Sequence, residues 1–125
     1  MDTDFLIDLN RSPRNPWRQR AERVLLEMEE ELYVSAVTVV EFMTGIAEDK
    51  QEEAARMLRE LYVYVSPSHE EAVLAGKLRR AYLEQGVTLS LADVTNAAIA
   101  LSRGFALLTR NSARYPFAGL AIKGW

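Results

Sequence analysis

The sequence predicts an α/β domain: a small central parallel sheet of four to five short strands, flanked by helices on both faces. Short apolar runs alternate with longer amphipathic stretches from end to end, the pattern of strands handing on to helices. No low-complexity segment and no internal repeat interrupts that alternation. The 125 residues, 49% hydrophobic and 26% charged, suffice to bury roughly two thirds of the unfolded surface in one domain spanning 1–125.

Met1 to Leu9 is an acid-studded apolar opening, read as extended. Asn10 to Pro16 is a loop, marked by Pro13 and Pro16 among polar residues. Trp17 to Glu31 is a helix, because Ala21, Val24, Leu25 and Met28 recur at three- and four-residue steps. Leu32 to Ala36 is a short β-type run, and Thr38 begins a helical stretch that ends near Gly45. Asp49 to Leu61 carries Ala54, Ala55, Leu58 and Leu61 on one helical face. Tyr62 to Ser66 is the clearest strand by composition, stopped by Pro67. Ser68 and Glu71 form a capping box, which opens a helix ending near Gly86. Ser90 and Asp93 repeat that logic at the head of a helix closed by Gly104. Phe105 to Thr109 is a last buried strand, and Leu120 to Ile122 an edge strand.

The chain has no cysteine and a single histidine, His69, so thiolate zinc sites, cysteine nucleophiles and multi-histidine metal sites are excluded. No run approaches the ~20 apolar residues that span a bilayer, and the amino terminus is acidic where a signal peptide is basic. The expectation is a cytoplasmic protein with no membrane partner. Carboxylates, hydroxyls, amides and arginines remain as the catalytic vocabulary.

In an open α/β sheet, ligands bind beyond the carboxyl ends of the strands. Asp2 and Asp4 lie at the first such point, on one side of an extended segment because side chains alternate with period two. Ser35 and Thr38 flank the second, with Glu41 about one turn into the helix. Asp93 sits in the first turn of the helix after Leu89-Ser90, and Thr109-Arg110-Asn111 leaves the last strand. Four segments thus bring oxygen donors to one rim. Carboxylates gathered there repel one another unless a cation sits among them, and a set without sulfur or imidazole suits Mg²⁺ or Mn²⁺. The chemistry that follows is phosphoryl transfer to water.

Each position also has a bland reading. Asp93 fits the N3 place of a capping box, Asp2 and Asp4 fit a fraying terminus, and Asn111 fits a turn. Glu41 is the sharpest discriminator. It is one charge in the apolar run Val37 to Met43, and such a residue is almost never fully buried unless paired, although a solvated position also accounts for it.

Met1-Asp2-Thr3-Asp4-Phe5-Leu6-Ile7-Asp8, Val34-Ser35 through Glu41 to Gly45, Leu89-Ser90-Leu91-Ala92-Asp93 with its helix, and Gly104 through Thr109-Arg110-Asn111 resemble, in order, the four motifs of PIN-domain ribonucleases. The likeness is closest to VapC-type toxins of type II toxin–antitoxin modules and covers essentially the whole chain. It implies a PIN-like three-layer fold and a Mg²⁺- or Mn²⁺-dependent endoribonuclease acting on RNA. It also implies a homodimer and a cognate antitoxin that covers the active site. By position, Asp2, Glu41 and Asp93 match the family's acidic residues, with Asp2 and Asp93 as metal ligands. Asn111 matches a place held by Asp or Asn, to bind through its amide oxygen or through water. Thr3, Asp4 and Thr109 match supporting polar residues, and Ser35 stands with them at the rim.

One departure concerns the first strand, since family members carry several apolar residues before the first Asp and only Met1 precedes Asp2 here. A start assigned too far downstream, or a trimmed chain, would account for it. Otherwise the expectation is a terminal amine close to the site, weaker metal affinity and a less stable sheet.

The formal charge of −3 argues against nucleic-acid binding by bulk charge, yet Asn10 to Arg23 holds five arginines against one glutamate. Arg14 and Arg18, near Trp17, are candidate RNA contacts because a guanidinium fork donates two hydrogen bonds to phosphate. A solvated helix face paired with Glu27, Glu29, Glu30 and Glu31 also fits them. Arg110 and Arg114 are better placed, beside Asn111. Two other functions compete. One is a catalytically silent PIN-like domain that binds without cutting. The other is an Asp-nucleophile phosphatase based on the Asp2-x-Asp4 spacing, which lacks a suitably placed lysine.

Overall fold

A computed structural model describes residues 1–28 and 30–125 of the chain. Among these residues four short strands form two parallel pairs. Strand β1 (Tyr33–Ser35) pairs with β2 (Val63–Val65), Tyr33 opposite Val63, and β3 (Leu107–Leu108) pairs with β4 (Ile122–Lys123), Leu107 opposite Ile122. Two residues stitch the pairs together. The Met1 nitrogen donates to the Tyr33 carbonyl at 2.9 Å, and the Asp2 N–H donates to the Leu108 carbonyl at 2.9 Å. The spatial order is therefore β2, β1, Met1-Asp2, β3, β4. The single expected sheet is present as two ribbons with a two-residue bridge.

The opening segment is the main correction to the sequence reading. Helix α1 (Thr3–Leu9) begins directly after Asp2, so Asp2 and Asp4 are not neighbours on one side of a strand. Asp2 is extended at the N-cap and its carboxylate faces the Asp4 N–H at 3.5 Å. Burial explains the choice. Phe5 and Leu6 are both fully buried but in different cores, Phe5 with Ala21 and Leu108, Leu6 with Val34, Phe42, Leu58 and Tyr62. Adjacent residues in a helix diverge by roughly 100° and can serve two cores. Together they contribute about 3–6 kcal/mol of burial.

The remaining helices are α2 (Pro16–Glu27), α3 (Ala36–Thr44), α4 (Gln51–Leu61), α5 (His69–Glu84) and α6 (Leu91–Arg103). Helix α2 starts at an Asn15 cap with Pro16 in its first turn and stops at Glu27, short of the expected Glu31. Helix α3 starts at Ala36 because Ser35 itself is the cap. The box of Ser68 and Glu71 has both reciprocal bonds, whereas Ser90 accepts the Asp93 N–H and the Asp93 carboxylate turns elsewhere. Gly104 ends α6 at φ +69°, a left-handed conformation that costs glycine little.

Helix α6 is the spine of the fold. Val94, Ala97 and Ala98 are buried against Ala75 of α5, Leu89, Leu107, Tyr115 and Phe117. Its small residues let α5 and β3 approach closely. A cavity of about 600 Å³ lies beside Met1, lined by Leu32, Tyr33, Phe105, Ala106 and the α6 residues Asn96 and Ile99. It lies between β1 and β3, which contribute Tyr33, Ser35, Leu107 and Leu108 to its wall. No helix among the described residues is long and apolar enough to cross a membrane.

Candidate functional site

The bridge residue Asp2, the end of β1, the start of α6 and the turn after β3 meet at one rim. Asp2 is buried, and its Oδ2 accepts a hydrogen bond from the Thr109 hydroxyl at 2.8 Å. Asp93, in the first turn of α6, accepts from the Tyr115 hydroxyl at 3.0 Å. Both acids converge on one atom, because Arg114 Nη2 lies 3.2 Å from each Asp2 oxygen and 3.0 Å from Asp93 Oδ1. The other branch, Arg114 Nη1, lies 3.3 Å from Asp4 Oδ2. Asp4 also accepts from the Asn111 side-chain amide at 2.6 Å, and the Asn111 N–H donates to the Thr109 hydroxyl at 3.0 Å. Asn111 thus presents its amide nitrogen to the site and steadies Asp4.

Glu41 is tied in by a single bond, accepting from the Thr3 hydroxyl at 2.8 Å. It is exposed, so the burial argument made from its apolar neighbours fails: Val40 beside it is exposed as well. The helix turns that apolar run through all directions, and only Thr38 and Phe42 of α3 are fully inside.

Ser35 belongs to a layer beneath the acids. Its hydroxyl donates to Asn96 Oδ1, the Asn96 amide donates to Thr38 Oγ1 at 2.9 Å, and the Thr38 hydroxyl donates to the Met1 carbonyl at 3.3 Å. This buried relay links β1, α3 and α6 to the residue before Asp2. Asn96 and Tyr115 were missed by sequence reasoning. The available signals were a polar Asn one helical turn after Asp93 in an alanine-rich run, and an aromatic residue directly after Arg114.

The electrostatics follow from this crowding. Burial, then the charges of Asp2 and Asp93, push the Tyr115 hydroxyl far above its ordinary value, so it remains a donor. Burial works against the Arg114 charge, but the charges of Asp2 and Asp93 outweigh it and hold the guanidinium protonated more firmly than usual. The Met1 amine is lowered to about 6 by burial, with the Asp2 charge opposing.

The arginine candidates divide sharply. Arg110 Nε lies 2.9 Å from the buried Asp8, and its guanidinium carbon sits 4.2 Å above the Trp17 ring. Asp8 is further held by Arg11 at 2.8 Å and by the Trp125 indole N–H at 3.0 Å. Arg18 donates to Glu22 at 2.7 Å and to the Arg11 carbonyl at 2.7 Å. Arg110 and Arg18 are committed to structure, while Arg14 is exposed.

A divalent cation can be tested against this donor set. Among the described residues no group of three or more acidic or histidine side chains is disposed to hold one. Mg²⁺ nevertheless commonly takes one or two carboxylates and keeps waters for its other positions. Asp2 and Asp93 supply two such carboxylates, already focused on a single positive atom, so the residues fit a hard cation once Arg114 gives way.

Comparison with known proteins gives the family. Ribonuclease VapC1 of Methanocaldococcus jannaschii is 30% identical over 82 residues, which is 66% of this chain and 60% of that relative. The plasmid stability protein StbB of Pseudomonas syringae pv. tomato is 30% identical over 98% of this chain and 94% of its own length. Among solved structures, a toxin–antitoxin complex from Klebsiella pneumoniae superimposes with a TM-score of 0.76 at 26% identity, covering 98% of this chain and 92% of that one. The PIN-domain profile matches residues 1–120, and this chain is a member of the PIN-domain family.

Proposed function

We propose that the chain is a Mg²⁺- or Mn²⁺-dependent endoribonuclease, the toxin of a toxin–antitoxin pair, working as a homodimer in the cytoplasm where its RNA substrate lies. The observation that carries this is the focus of Asp2 and Asp93 on one positive charge at the rim of a PIN fold. A ribonuclease among its relatives supports the activity, and a toxin–antitoxin complex among its structural neighbours supports an antitoxin partner.

Asp2 and Asp93 would hold the cation, which when bound supplies Lewis acidity at the phosphoryl group and lowers the pKa of a water. The protein's own residues do the positioning. Thr109 fixes the Asp2 carboxylate by donating to Oδ2, and Tyr115 fixes Asp93 in the same way. Thr3 holds Glu41 at the solvent edge, where its carboxylate can take a proton from an attacking water. Asn111 keeps Asp4 oriented beside them.

The arginine-filled site gives the silent binding domain its specific support, and one experiment separates the two. Purified protein with Mn²⁺ is incubated with total cellular RNA, alongside Asp2→Asn and Asp93→Asn. Discrete cleavage that falls about a hundredfold or more in both variants is expected, the loss of roughly 3 kcal/mol of transition-state stabilisation. Absence of cleavage, or equal cleavage by all three, would favour binding without catalysis.

A further inference from the structure

We propose that Arg114 is a built-in counter-ion that competes with the divalent cation for Asp2 and Asp93, so that cation entry requires the arginine to leave. This rests on the reading of Asp2 and Asp93 as the cation's ligands.

The geometry makes the competition unavoidable. Arg114 Nη2 is within 3.2 Å of both Asp2 oxygens and 3.0 Å from Asp93 Oδ1, so it stands at the point on which the two carboxylates that would hold a cation are focused. Two positive centres cannot share that point. Without either, the Asp2 and Asp93 carboxylates would be focused on one point with no cation between them, a costly arrangement. Arg114 removes that cost: through Nη1 it also reaches Asp4, at 3.3 Å.

Arg114 is built to move. It ends a short 3₁₀ turn, Ser112–Arg114, and its side chain is 42% exposed to solvent. Arg110 makes the contrast, with its side chain on the buried Asp8 and against Trp17. When Arg114 departs, Tyr115 and Thr109 still hold Asp93 and Asp2 in place. A phosphate-binding role for Arg114 is consequently available only after a cation has replaced it.

The test is Mn²⁺ binding by calorimetry, with thermal denaturation in parallel and no RNA present. It compares the wild type, Arg114→Gln, and Arg80→Gln as a control that removes an exposed arginine pairing only with Glu84. Arg114→Gln is expected to melt lower without cation, yet to bind Mn²⁺ at least about tenfold more tightly and gain more in melting temperature from it. Arg80→Gln should match the wild type. Unchanged or weaker Mn²⁺ binding by Arg114→Gln would overturn the inference while leaving the Asp2 and Asp93 ligands standing. No Mn²⁺ binding by any of the three would overturn the ligand assignment and the inference with it. A second measurement uses only the wild type: the Arg114 guanidinium N–H signals in ¹⁵N NMR should lose their restricted rotation as Mg²⁺ saturates the protein. Signals unchanged by bound Mg²⁺ would contradict the proposal.

Discussion

Single residues here are worth most where a charge is buried among few partners. Asp8 is fully buried and relies on Arg11, Arg110 and Trp125. Arg110→Ala should therefore destabilise by about 1–3 kcal/mol in a denaturant titration, because Asp8 loses an ion pair and Trp17 the nearer of its two guanidinium neighbours. Glu71 offers a pH test. The two-pronged hydrogen bonds from Arg103, aided by the Ser68 N–H, hold its carboxyl down at about 2. A depressed pKa stabilises the fold above the ordinary carboxylate value of 4.5, and that contribution is lost as pH falls through about 2. Glu71→Gln should melt lower than the wild type at pH 7, with the difference shrinking between about pH 4.5 and 2. Residue roles were legible where they depend on local spacing, as with the Ser68 and Glu71 box. They were not where partners come from distant segments: nothing near Arg110 in sequence announces Asp8, and nothing near Asn111 announces Asp4.

At the scale of elements, most strands and helices could be read from periodicity and caps, with boundaries shifted by a few residues. The first nine residues could not. Phe5, Leu6 and Leu9 fit a short strand or a helical turn, and the decision came from two cores on either side of α1 that only the assembled fold supplies. The bridge at Met1 and Asp2 has a consequence for stability. β1 and β3 flank a cavity of about 600 Å³ beside Met1, where further backbone could pair with both edges. Adding four β-branched apolar residues ahead of Met1 should raise the melting temperature by several degrees, since each new bond contributes about 0.5–1.5 kcal/mol net. Four polar, glycine-rich residues in the same place should not. Equal melting temperatures for the two extensions would show that the gap does not accept a strand.

For the whole molecule, the net charge of −3 averages over an acidic rim and over arginines of which Arg11, Arg18, Arg110 and Arg114 have acidic partners within the chain. Local clusters of arginine in sequence suggested a basic flank, but Arg18 and Arg110 spend their charge on Glu22 and Asp8. RNA binding is accordingly expected to be weak and to fall steeply with salt, measurable by fluorescence anisotropy of a labelled single strand between about 50 and 200 mM salt. The acidic rim itself was legible because strand ends and helix starts could be located, and ligands collect at such ends. The occupation of that rim by Arg114 was not, because its reach across to Asp2, Asp4 and Asp93 depends on a turn whose geometry no spacing encodes. The central claim is that Asp2 and Asp93 together hold a divalent cation. Anomalous diffraction from crystals grown with Mn²⁺ tests it most directly. The expected result is a peak between the Asp2 and Asp93 carboxylates with Arg114 turned away from both. A peak elsewhere, or none with Arg114 still bridging the two acids, would contradict it.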